Sequence, residues 1–77
     1  MTQTEFMRKW SENDLKRCRI KIDNVTSNPY SMYCCQQNDK WLICSVNERE
    51  DSTIIYEGNE DFIFEKLDKI ILGKLDK

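Results

Sequence analysis

Four cysteines, Cys18, Cys34, Cys35 and Cys44, are the side chains best suited to chemistry in a chain of 77 residues that has no histidine. Structural zinc sites pair cysteines two to four residues apart and often add histidine. Neither feature occurs here. Cys34 and Cys35 are adjacent, and on a strand adjacent side chains point to opposite faces, so one ion could not take both without a bend. A nucleophilic thiol needs a base or a positive field to become a thiolate. Cys18 lies between Arg17 and Arg19, but a strand would turn both guanidinium groups away from it. The expectation is four reduced thiols acting as small hydrophobes, ahead of zinc or disulfides. Histidine, the commonest general base, is missing. Carboxylate pairs such as Glu60-Asp61 suit a helix start better than acid–base work. With two glycines in the chain no phosphate-cradling loop can be drawn. No catalytic residue, no cofactor, no metal and no enzyme activity are expected.

Charge directs attention to binding. Residues 1–22 carry six basic side chains (Arg8, Lys9, Lys16, Arg17, Arg19, Lys21) against three acidic ones (Glu5, Glu12, Asp14), a net of +3. Residues 47–61 carry Glu48, Glu50, Asp51, Glu57, Glu60 and Asp61 against Arg49, a net of −5. Lys16, Arg17, Arg19 and Lys21 beside Trp10 could contact phosphates. The acidic second half and a pI near 5.1 would repel a long polyanion, so nucleic acid is a poor partner. The acidic run suits a protein partner, above all a cationic one, because a dipolar surface orients a charged molecule on approach. The candidate partner-binding residues are Glu48, Glu50, Asp51, Tyr56, Glu57, Glu60, Asp61 and Trp41. Exposed aromatics beside carboxylates are common interface anchors. The residues leave a second reading open, in which Trp41, Tyr56 and Tyr33 are core and the acids only keep the chain soluble.

Local patterns give the elements that must position these groups. Thr2-Gln3-Thr4-Glu5 is a capping box, with Met1 and Phe6 placed as a hydrophobic staple. Phe6, Met7 and Trp10 then form a helical stripe, predicting a first helix over 3–14. Ser11 to Asp14 could instead cap a separate short helix holding Leu15 and Cys18. Cys18, Ile20 and Ile22 alternate with charged residues, the pattern of a strand with one wet face. Thr26-Ser27-Asn28-Pro29 reads as a loop. A strand over 30–37 follows, then a two-residue turn at Asn38-Asp39, since both residues tolerate positive φ. Residues 40–46 are apolar on both faces and suit a central strand. A polar loop over 47–52 leads to a β-branched strand over 53–57. Asn59 caps a last helix, Glu60 and Asp61 favour its positive end, and Ile63, Leu67, Ile70 and Ile71 form its stripe, widened by Phe64 and Leu75. The expected fold is α+β: a four-stranded antiparallel meander flanked by an N-terminal and a C-terminal helix, both on one face.

Length allows one domain, and a chain this short buries only about 60–65% of its unfolded surface. Hydrophobic residues at 39% and charged residues at 34% are too apolar for a disordered tail and too polar for a membrane span. No signal-peptide core stands in the first 22 residues, so a cytoplasmic location without membrane contact is expected. The oligomeric state is left open.

The short α+β layout, the Trp41-Leu42-Ile43 strand and the acidic Tyr56-Glu57-Gly58-Asn59-Glu60-Asp61 segment leading into an amphipathic helix form an arrangement. It resembles the small cytoplasmic immunity proteins of bacterial polymorphic-toxin and contact-inhibition systems. Such proteins neutralise a toxin domain by tight binding, often covering a basic nuclease site with an acidic surface. The resemblance spans the whole chain as architecture. It rests on no motif, so it transfers no functional residue. It implies an inhibitor of one protein target; apart from the resemblance, a regulatory or adaptor subunit of another assembly stays open, and behind it a nucleic-acid-binding module.

Overall fold

The structure, a computed structural model, describes residues 1–23 and 30–76. Among these residues the elements in chain order are α1 (Gln3–Lys9), α2 (Glu12–Arg17), β1 (Ile20–Ile22), β2 (Met32–Gln37), β3 (Lys40–Val46), β4 (Ser52–Gly58) and α3 (Glu60–Leu75). The fold is α+β, with a four-stranded mixed sheet of order β1-β2-β3-β4 and helices at both ends of the chain. The loop expected at Thr26–Pro29 lies outside the described residues.

Two capping boxes divide the N-terminal region. Thr2 and Glu5 close the first, with Glu5 N–H donating to Thr2 Oγ1 at 3.2 Å and Thr2 N–H to Glu5 Oε1 at 3.1 Å. Ser11 and Asp14 close the second in the same way, at 3.2 and 2.9 Å. A single helix over 3–14 is therefore not what forms. Trp10 takes an extended conformation as the C-cap of α1, and α2 starts afresh after Ser11. Each box satisfies amides that a helix start leaves without partners, which makes a break at Ser11 cheap.

The antiparallel meander fails at one pairing: β1 runs parallel to β2, with Ile20 opposite Met32 and Ile22 opposite Cys34. Arg19, at φ 58°, turns its carbonyl to accept from Ser31 N–H at 2.8 Å and Met32 N–H at 3.3 Å. That fixes the start of β2 beside the start of β1. A strand of three residues is only about 10 Å long. The chain between Ile22 and Met32 is long enough to return over that distance, and alternation alone carries no strand direction. The other pairings are antiparallel. Asn38 and Asp39, at φ 52° and 64°, make the two-residue turn between β2 and β3.

One sheet face is covered. Phe6, Leu15, Cys18, Ile20, Ile22, Cys34, Trp41, Ile43, Ile63, Phe64, Leu67 and Ile71 form a single core between helices and sheet. Phe64 stands at its centre, 5.3 Å from the Phe6 ring and 4.9 Å from the Trp41 ring. Of the expected α3 stripe, Ile63, Leu67 and Ile71 are fully buried, whereas Ile70 is half-buried and Phe64 takes the deeper place. Trp10 Nε1 donates to Asp68 Oδ1 at 2.8 Å, and Lys9 Nζ reaches the same oxygen at 2.9 Å, so α1 is pinned to α3. Burial alone would raise the Asp68 carboxyl, but these two bonds outweigh it and hold the group below its ordinary value.

Candidate functional site

The acidic surface is built on the turn between β3 and β4. Asn47 Oδ1 accepts from Arg49 N–H at 2.9 Å and Asp51 N–H at 3.0 Å. Asn47 N–H donates to the Asp51 carbonyl at 3.1 Å, and Glu50 N–H to the Asn47 carbonyl at 3.0 Å. An Asn side chain bonding its own backbone ahead replaces a regular turn and fixes the loop. Glu50 sits at φ 64° within it. Glu48, Glu50 and Asp51 are all exposed, and among the described residues none is within salt-bridge reach of a cation.

The remaining acids are already engaged. Glu57 meets Lys40 Nζ at 3.3 Å on the neighbouring strand. Glu60 accepts from Gln3 N–H at 2.7 Å, and Asp61 meets the Met1 amino group at 3.2 Å. Both therefore brace α1 against the start of α3. The candidate set thus splits into a free trio on the turn and a trio whose charge is met from within the chain.

Trp41 does not belong to this surface. It is 5% exposed, and its ring packs on Phe64 inside the core. The pleat explains the correction. Trp41 and Ile43 share a face of β3 with Cys34 opposite, and that is the face the helices cover. Tyr56 is half-buried on the same side, opposite Ile43. Its ring lies 6.3 Å from that of Phe62, with Lys66 Nζ 5.6 Å above it. It is a shoulder of the core more than a free anchor.

The other sheet face carries apolar groups outside that core, of which Ile54 meets solvent while Leu42 and Cys44 are each 8% exposed. Tyr33, Cys35, Leu42, Cys44, Val46 and Ile54 alternate onto it, and Leu42 and Cys44 stand outside the helix-covered core. A register shift between Ile43 and Cys44 leaves Ile55 as an extra residue in β4, with Ile43 opposite Tyr56 and Cys44 opposite Ile54. Ile54 and Ile55 are 56% and 41% exposed. Tyr33, Tyr30, Lys21, Val46, Glu50 and Ser52 line a cleft of about 370 Å³ at one end of this face. Lys21 Nζ lies 5.2 and 5.6 Å from the two tyrosine rings. A smaller hollow of about 240 Å³, lined in part by Leu42, Ile54 and Glu57, lies at the other end.

Apart from Tyr33, this face escaped the sequence reading. The signal was the lack of alternation in Tyr33-Cys34-Cys35 and Trp41-Leu42-Ile43-Cys44. It predicts strands apolar on both sides, and the expected docking of both helices on one face leaves the other open, without revealing which of these residues stand on it.

All four cysteines are free. Burial pushes the Cys34 thiol up to about 12, with Cys35, Asp23 and Cys44 adding to it, and burial also raises Cys18, Cys35 and Cys44. Thiols with raised pKa stay protonated at neutral pH, where they are poor nucleophiles and poor ligands. Among the described residues no group of three or more His, Cys, Asp or Glu gathers in metal-binding geometry, and no helix is long and apolar enough to cross a membrane. No family model, curated protein or solved structure matches this chain.

Proposed function

We propose that this protein binds and neutralises a protein partner, as an immunity protein does its cognate bacterial toxin, through the acidic edge formed by the β3–β4 turn and β4. One observation carries the reading. Glu48, Glu50 and Asp51 are held on a hydrogen-bonded turn, with no salt-bridge partner among the described residues, beside the exposed side chains of Ile54 and Ile55. Exposed apolar surface favours association, carboxylates gathered on one turn repel one another, and a cationic partner with an apolar face offsets both. The basic residues support it from the far side. Lys16, Arg17 and Arg19 gather around β1, three strand spacings or about 14 Å from β4, while Lys21 lines the cleft that Glu50 also lines. The molecule is therefore dipolar across its sheet, and a cationic target is steered to one edge. Protonated, buried thiols favour binding over catalysis.

The test is co-expression with the protein encoded directly upstream, followed by association kinetics of the pair. Neutralisation of a growth-arresting product is the expected result. Replacing Glu48, Glu50 and Asp51 together with Lys should slow association at low salt by about tenfold or more. The difference should shrink near physiological ionic strength, where the Debye length is ~8 Å. Unchanged growth arrest in the co-expressing cells removes the inhibitor reading, and an unchanged rate for the triple variant removes the acidic turn from it.

A further inference from the structure

The outer edge of β4 offers backbone as well as charge. Among the described residues, sheet order leaves β4 with β3 as its only neighbour, and no β4 amide or carbonyl bonds to any group outside that pairing. Its seven residues span about 23 Å of unpaired edge. Ser52 to Tyr56 are uncharged, whereas Glu50 and Asp51 precede them and Glu57 and Glu60 follow. We infer that β4 is a docking strand, and that the partner adds to the sheet an extended segment with an uncharged β-prone centre and Lys or Arg at both ends. This rests on the partner-binding reading and gives it a mode: main-chain bonds supply affinity, and alternate side chains read the neighbouring surface.

Charge selects this occupant over a second copy. Two β4 edges facing each other would bring together two copies of the exposed Glu48, Glu50 and Asp51, with Lys40 and the Met1 amino group offsetting only Glu57 and Asp61 in each. The bulge at Ile55 acts in the same direction, since a twisted edge resists indiscriminate pairing with a flat one. A nucleic acid is repelled by the same carboxylates.

A synthetic peptide, Lys-Lys-Thr-Val-Thr-Val-Thr-Lys-Lys, serves as the probe against the isotope-labelled full chain. Two control peptides accompany it, one N-methylated at alternate residues and one with Glu in place of every Lys. Saturable binding is expected, with amide shifts confined to residues 51–59 and slowed hydrogen exchange in β4. Both controls should bind at least roughly tenfold more weakly. The double variant Ile54→Lys with Ile55→Lys should keep the parental Tm, since both side chains are exposed, and should lose the peptide. Equal binding by the N-methylated peptide would mean that charge alone is read, and strand addition falls. Shifts centred on α3 or on residues 16–21, or no saturation at millimolar peptide, overturn it too, as does a dimer with β4 amides protected before peptide is added. The two readings separate cleanly. A neutralised upstream partner that binds the double variant normally removes the strand mode alone, whereas a peptide that pairs as expected without neutralisation removes the inhibitor reading alone.

Discussion

The two edges of this sheet solve the same problem in opposite ways. β1 is three residues long, bounded by left-handed Arg19 and Asp23, with α2 packed against it. It offers almost nothing to a passing strand. β4 is seven residues long, and only a bulge at Ile55 interrupts its edge. Unpaired edges invite aggregation, and folded proteins blunt them by shortness, charge or bulges. Here shortness guards the basic edge, while a bulge and flanking carboxylates guard the acidic one. The second device still admits a cationic strand, and the first admits none. The two faces differ in parallel: helices seal one around Phe64, and the other leaves Ile54 in water.

The largest effect should come from the sealed face. Leu67 is fully buried, and Leu67→Ala should cost about 2–5 kcal/mol, a large share of the stability of so small a domain. Chemical denaturation measures it, and an unchanged midpoint would mean that α3 does not carry the core. Next comes the pin between α1 and α3. Asp68→Asn weakens two hydrogen bonds to a half-buried group and should cost about 1–2 kcal/mol. Its pH signature is separate. The Asp68 carboxyl lies below its ordinary value of 3.8 in the folded chain, so its contribution is complete above that pH and is lost as pH falls through the lowered value. The parent should therefore lose stability below about pH 4 more steeply than Asp68→Asn does. The acid limb keeps a residual slope, because the Glu5 and Asp14 carboxyls are likewise held low by the Thr2 and Ser11 caps.

Smaller again is the break between α1 and α2. Ser11→Ala removes one side of the second capping box and should cost about 1 kcal/mol, with faster amide exchange in residues 12–14. The smallest change belongs to the open edge. Ile54→Ala and Ile55→Ala should each alter stability by no more than about 0.5 kcal/mol. A cost there as large as that of Leu67→Ala would erase the contrast between the two faces.

Local chemistry made much of this legible in advance. Thr2 with Glu5, Asn38 with Asp39, and Asn59 ahead of two carboxylates act within a few residues of themselves, through backbone bonds and φ preferences that any short peptide shares. Ser11 and Asp14 carried the same kind of signal. It competed with the helical stripe ending at Trp10, and in the folded chain the second cap stands beside a Trp10 bonded to Asp68.

Other features depend on which groups meet across the fold. Strand direction is one: Cys18, Ile20 and Ile22 alternate identically in a parallel or an antiparallel pair, and the Arg19 carbonyl bonding to Ser31 and Met32 decided it. The face taken by Trp41 is another, because β3 is apolar on both sides and only the docking of Phe64 selects between them. The division of the acidic run is a third. Six carboxylates look equivalent along residues 47–61, yet Lys40, Gln3 and the Met1 amino group reach Glu57, Glu60 and Asp61, while Glu48, Glu50 and Asp51 meet no cation among the described residues. The sequence alone determined the helix caps, where turns fall and how charge is apportioned along the chain, because those depend on neighbours a few bonds away. Tertiary structure decided which charges stay unpaired and which strand stays open, because both depend on groups brought together from distant parts of the chain.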